Sequence, residues 1–329
     1  LLLLWILIDL SASISYWIIP FILIGMSLFL LRVFVLMHEC GHGSLFKTKQ
    51  LNVFFGFIFG VLSGMPQFVW SRHHRYHHST NGNWEKYRGP LNIISRDDYL
   101  AKTAKQQKQY CRMRSIWLAP LAGLSYLIIN PRLSCLKATI SLGKQLIQQK
   151  ISQPNLSLSH CAKKFNTPYC ASLEEYLHML ANNLLLISLC IGMAWLLSPS
   201  LFFICYIVSL SLAGGLGIVL FTVQHNFEHA YASDDKHLDY HQAAIEGTSF
   251  LVLPNWLNWF TANIAYHHIH HLSASIPNYA LAACHHQYPT LFANVRRIRL
   301  SHIPAALRYI VWDSQARKII SASEATRGI

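Results

Sequence analysis

The chain has 329 residues, 53% hydrophobic and only 12% charged, where an average soluble domain carries roughly 25% charged residues; such a composition points to a bilayer and argues against an ordinary soluble globule. A formal net charge of +13 would suit nucleic acid, anionic lipid headgroups or an acidic protein partner, and the hydrophobicity sets nucleic acid aside. Eight scattered cysteines form no C-x-x-C pair and suggest neither a zinc ribbon nor a redox dithiol, which leaves 19 histidines as the anomaly.

In chain order, the opening LLLLWILIDL reads as the remnant of an apolar span over residues 1–10, with Ser11 to Tyr16 as its tight return. A spanning helix needs about 20 mostly apolar residues, and the windows 17–37, 176–197 and 201–223 meet that length. Arg32 lies near the end of its window, where its stem can snorkel to the interface. The stretch 51–69 is apolar but broken by Gly56, Gly60, Gly64 and Pro66, so it reads as a re-entrant or interfacial helix. Lys102, Lys105, Lys108, Arg112, Arg114, Arg132, Lys137, Lys144, Lys150, Lys163 and Lys164 fall between the second and third spans and place that segment in the cytoplasm. The run is expected to be a solvated, headgroup-facing segment. The expected fold is therefore all-α: a polytopic helical membrane protein of about four transmembrane helices, one domain over 1–329, with a cytosolic helical cap from 38–170 and 224–329.

The histidines gather near the expected span ends. His38 and His42 are four apart and can reach a common point from one helix face. In Trp70-Ser71-Arg72-His73-His74-Arg75-Tyr76-His77-His78, His74, His77 and His78 follow an i, i+3, i+4 pattern, and His267, His270 and His271 repeat it in YHHIHH. His225 and His229 lie between the last span and the third cluster. A lone histidine at a membrane interface is usually a hydrogen-bonded structural residue. Two H-x-x-H-H runs and one H-x-x-x-H on one membrane side have few structural reasons to coincide, and they point to metal. Eight or nine converging imidazoles suit two ions, since structural zinc takes four ligands and catalytic zinc three. Imidazole accommodates zinc, copper, iron and nickel alike, so the ligands do not name the metal.

The segments HECGHGS, HHRYHH, QHNFEHAY and YHHIHHLSASIPNY resemble the three histidine boxes, and the additional histidine, of membrane fatty-acid desaturases, with the bacterial acyl-lipid branch nearest. The resemblance covers about Tyr16 to Tyr279. It implies metal ligands, which are also the catalytic set, at His38, His42, His74, His77, His78, His225, His267, His270 and His271, with His229 as the alternative to His225; His73 and His268 extend the boxes without completing a triplet. It further implies two iron ions, O2 as co-substrate, and electrons from a separate donor such as a ferredoxin or cytochrome b5. The implied substrate is an acyl lipid, or an acyl-CoA or acyl-carrier thioester, within a membrane protein whose site faces the cytoplasm, in the bacterial inner membrane. A related membrane hydroxylase or carotenoid oxygenase, and a histidine-rich metal transporter, are the rival readings. Glu39, Glu228, Asp234, Asp235 and Asn81 are candidate acceptors for ligand N–H groups. Trp70, Trp84, Trp256, Trp259 and Phe260 would wall an acyl channel or form an interfacial belt.

Overall fold

In the computed structural model, which describes residues 1–86, 93–163 and 165–327, helix α1 (Leu2–Ile14) is followed by a single tight turn and helix α2 (Ile19–His42). Helix α1 continues through the expected return: Ser11 is buried in it and its carbonyl accepts the Ser15 amide at 2.7 Å, so the chain reverses at Ser15 to Ile18 instead. Helix α2 continues past the apolar window that closes at Met37 and carries His38 and His42 on one helix, as their spacing implied. His38, Glu39 and Cys40 do not break a helix, and termination waits for Gly43 at φ +73°. His38 and His42 thus ride on the last two turns of a spanning helix. Arg32 is held by the short helix Asn255–Phe260: its guanidinium lies 4.0 Å from the Trp259 ring centroid and donates to the Trp259 carbonyl.

The stretch expected to be re-entrant is two helices, α3 (Lys49–Ser63) and α4 (Gln67–Ser79), bent by 98°. Gly64 makes the corner, because its φ of +79° is one that only glycine adopts cheaply. Its amide and that of Met65 satisfy the carbonyls of Val61 and Gly60, and Pro66 pre-sets the entry into α4.

Within the basic run after strand β1 (Ile94–Ser95), where Lys105, Lys108, Arg112, Lys137 and Lys144 are exposed as expected, lies a part that is no solvated loop: helix α5 (Ala119–Leu124), a wide π-type turn (Ser125–Ile129) and the start of helix α6 (Asn130–Ser152). Two apolar helices follow, α7 (Leu173–Leu196) and α8 (Pro199–His225). Helix α5 packs on the middle of α8, backbone against backbone. A Cβ on Gly123 would stand 2.3 Å from the Gly215 nitrogen, and one on Gly214 would stand 2.6 Å from the Gly123 Cα. Small residues permit this approach where lipid offers no hydrophobic drive to hold helices together. Arg132 is likewise no headgroup contact: its guanidinium donates to the carbonyls of Gly64 and Leu127, both at 2.8 Å, and to Asn183 Oδ1 at 2.7 Å, clamping the α3–α4 corner, the π turn and α7. Lys164 lies outside the described residues.

Among the described residues, Tyr16–His42, α7 and α8 are long and apolar enough to cross a membrane, and the bent α3–α4 pair raises the number to four if it counts as one span. Their outer faces carry exposed Phe21, Ile24, Ile191 and Trp195, as lipid-facing helices require. Beyond α8, strands β2 (Ser249–Val252) and β3 (Arg296–Arg299) pair in parallel, helices α9 (His267–Leu272) and α10 (Asn278–Gln287) pack beside them, and β4 (Tyr309–Asp313) joins β1 and β5 (Lys318–Ser321) in a second small sheet. This cap is sewn to the end of α8 by Ser249 Oγ, which donates to the Val223 carbonyl, and by Gln224 Nε2, which donates to the Ile264 carbonyl at 2.8 Å. The third histidine cluster is thereby carried to the end of α8, where His225 stands.

Candidate metal centre

Four helices supply nine imidazoles, and they divide into two groups. His38, His42, His74, His78 and His270 form one cage; His77, His225, His267 and His271 form the other, and within each cage the potential ligand atoms lie within 4.8 Å of one another. The nine residues singled out from the sequence are the nine that converge. His229 is in neither cage; it sits at φ +61° with its amide on the Ile319 carbonyl.

Helix geometry explains the division. At about 100° per residue, the i+4 member of a triplet projects about 40° to one side of the i member and the i+3 member about 60° to the other. In the second cluster the pair His74 and His78 enters the first cage, and His77 crosses into the second. In the third cluster the pair His267 and His271 enters the second cage, and His270 crosses into the first. Each triplet therefore serves both cages, and the cages touch: the His78 and His271 rings stack at 4.1 Å, and His74 with His77 and His267 with His270 are each 5.4 Å apart.

The donor set fits metal. Nε2 of His38, His42, His270 and His271 is buried and makes no hydrogen bond among the described residues, an arrangement that costs free energy unless something else satisfies the atom. Three Nε2 pairs face each other, His74 with His78 at 3.0 Å, His77 with His225 at 3.2 Å and His225 with His267 at 2.9 Å. Two nitrogens each about 2.1 Å from one ion, at right angles, stand about 3 Å apart. Burial holds the His267, His270 and His271 pKa values well below the ordinary imidazole value, helped by neighbouring rings. Their lone pairs are therefore free at neutral pH.

One carboxylate orients the first cage. His38 Nδ1 donates to Glu39 Oε1 at 2.9 Å, and Glu39 Oε2 accepts from the Asn278 amide at 3.0 Å and the Ser44 hydroxyl at 3.1 Å. The His38 tautomer is thus fixed with Nε2 toward the cage, and the same carboxylate ties α2 to the start of α10. The other candidate acceptors do ordinary work: Glu228 pairs with Arg296, Asp234 with His237, Asp235 with Lys86, and Asn81 donates to the Ala243 carbonyl. His268 turns away from the cages to a buried pairing with His285, Nε2 to Nδ1 at 3.0 Å, where burial pushes its pKa down to about 3. His73 lines the neighbouring cavity instead.

That cavity, about 820 Å³, lies between α2, α4, α5, the π turn and α8, and borders the cages at His74, His77 and His225. Its wall shows a signal that the reading of the histidines passed over: an aromatic residue one turn before the first ligand on each of three helices, Phe34 before His38, Trp70 before His74 and Phe221 before His225. Four-residue spacing puts each on its ligand's face, and the Trp70 ring stacks on His74 at 4.4 Å while its Nε1 donates to the Tyr126 hydroxyl at 2.8 Å. Of the aromatics considered as channel walls, only Trp70 lines the cavity; Trp256 and Trp259 are exposed, and Phe260 packs edge-on against Phe29.

The model of one protein family, described as fatty acid desaturase, matches residues 12–299. A fatty acid desaturase of Bacillus subtilis (strain 168) is 31% identical over 323 residues, covering 97% of this chain and 81% of its own. Shorter matches are to an endoplasmic reticulum omega-3 fatty acid desaturase of Vigna radiata var. radiata, 44% identical over 54 residues (16% of this chain, 14% of its own), and an sn-1 acyl-lipid omega-3 desaturase (ferredoxin) of Synechocystis sp. (strain ATCC 27184 / PCC 6803 / Kazusa), 41% identical over 51 residues (16% and 14%).

Proposed function

Because the chain belongs to the fatty acid desaturase family, a family of oxidoreductases, we propose that its nine imidazoles hold two iron ions and that it introduces a double bond into the acyl chain of a membrane lipid. The observation that carries this reading is the contact between two touching imidazole cages and one largely apolar cavity. His38, His42, His74, His78 and His270 would hold one ion, and His77, His225, His267 and His271 the other. The irons supply what side chains cannot: with O2, two electrons and two protons, two vicinal hydrogens leave an unactivated methylene pair, giving an alkene and two waters.

The remaining work belongs to the chain's own residues. Phe34, Trp70 and Phe221 cover the cages on the cavity side and exclude water from them. The cavity presents one methylene pair to His74, His77 and His225 and keeps the others at a distance, which converts an unselective oxidation into a positioned one. The relative named for acyl-lipid substrate and ferredoxin favours a lipid-bound acyl chain and a separate ferredoxin-type donor. The basic residues of 102–164 favour a site on the cytoplasmic side, and the Bacillus subtilis relative favours a bacterial inner membrane.

Gas chromatography with mass spectrometry of fatty acids from cells expressing the protein tests the proposal. New unsaturated acyl chains are expected from wild type and none from His270→Ala or His77→Ala, both of which remain in the membrane. Hydroxylated or ketonic products without a new alkene would overturn desaturation in favour of hydroxylation.

A further inference from the structure

The cavity has a depth that can be read along α8, and one position on that helix sets how much of it an acyl chain can use. Ala213, Gly214, Gly217, Ile218, Phe221 and His225 of α8 all line it. Gly214 lies eleven residues before His225 and Gly217 eight, about 16 Å and 12 Å at about 1.5 Å per residue. An extended polymethylene chain advances about 1.25 Å per carbon, the projection of a C–C bond of about 1.5 Å. The distance from His225 to Gly214 therefore matches about thirteen carbons, and that to Gly217 about nine or ten.

The two glycines are not equivalent. At Gly214 a side chain has nowhere to go, because its Cβ would fall 2.6 Å from the Gly123 backbone; this glycine exists for helix packing, and with Ala213 it is the part of the α8 lining farthest from His225. At Gly217 a Cβ meets only Leu31 Cδ1, at 3.6 Å, an ordinary contact with another cavity-lining residue. A Cβ at 217 therefore meets no backbone, and it would stand on the cavity wall beside Leu31. Helical φ and ψ suit any residue there, and glycine is a poor helix former, so helix formation is not what calls for glycine at 217.

We propose that Gly217 is the specificity-determining residue of this protein: by carrying no side chain it admits the methyl end of the acyl chain past the level of Leu31 to the floor at Gly214, and so sets how many carbons lie between the new double bond and the methyl terminus. The inference rests on the desaturase reading. The saturated tail points toward the middle of α8, and the carboxyl side leaves past the polar His73, Tyr76 and Asn130 lining.

The test is a series of Gly217→Ala, Gly217→Val and Gly217→Leu. Product analysis from expressing cells should show the tail beyond the double bond shortening in step with side-chain size, by about three to four carbons for Leu, the spacing of Gly217 and Gly214 along the helix. The change would show as a bond nearer the methyl end or as use of shorter chains at an unchanged carboxyl-side position. A second readout needs no turnover: in detergent, stearic acid should raise the wild-type Tm more than myristic acid, by preferential binding to the folded state, and the order should reverse in Gly217→Leu. An unchanged tail in a folded Gly217→Leu protein, or an unchanged order of the two acids, would overturn the assignment. If wild type makes no alkene but the fatty-acid order still reverses, the desaturase reading fails and the depth assignment stands.

Discussion

At the scale of single residues, the site is governed by how each imidazole is kept neutral and aimed. Glu39 aims His38, through a carboxylate that also receives the Asn278 amide and the Ser44 hydroxyl. Glu39→Gln keeps the shape but removes the charge that strengthens the His38 donor, and loss of such a partner typically weakens metal binding about 10- to 100-fold; chelator competition on the purified protein measures it. His268→Ala, away from both cages, should retain substantial desaturation while lowering Tm through loss of the His285 pairing. Acid should destabilise the metal-free fold. His268 falls from an unfolded value near 6.5 to about 3, and His267, His270 and His271 are also held low. The unfolded chain therefore takes up protons first, so stability is complete above about 6.5 and declines as pH falls below it. Chelator-treated protein should show a lower Tm at pH 5 than at pH 7.5, and an equal or higher Tm would contradict the assignment of buried neutral rings.

At the scale of elements, the glycines of α5 and α8 make a sharper prediction than their helix propensities would. Gly123→Ala should cost about 1–3 kcal/mol or more, the range for overpacking, because its Cβ would meet the α8 backbone at 2.3 Å; Gly143→Ala on α6, with open space around it, should be neutral or stabilising by up to about 1 kcal/mol. Thermal unfolding in detergent compares the two. The histidine boxes were readable from sequence because periodicity of three and four is a local property of one helix. Which cage each ring joins depends on the direction in which its helix faces the others, and the crossing of His77 and His270 becomes visible only when α4 and α9 stand opposite each other. The same limit explains Arg132: as one cation among many it reads as solvated, whereas the π turn and the α3–α4 corner fold their carbonyls around it. Hydropathy alone ends at Met37 while backbone hydrogen bonding continues to Gly43, so there the histidine spacing, and not the apolar window, marks how far the helix runs.

At the scale of the whole molecule, apolar spans hold the cavity, a cap built after α8 carries His267, His270 and His271, and the two halves meet at His225. Neither half has a complete cage: the first cage needs His270 from the cap, and the second needs His77 and His225 from the helices. Metal binding should therefore weld the cap to the spans, and elemental mass spectrometry of the purified wild-type protein tests this account most directly. Two irons per chain are predicted, falling to one or none in His270→Ala; a wild-type protein holding a single ion, or two zinc ions and no iron, would contradict it.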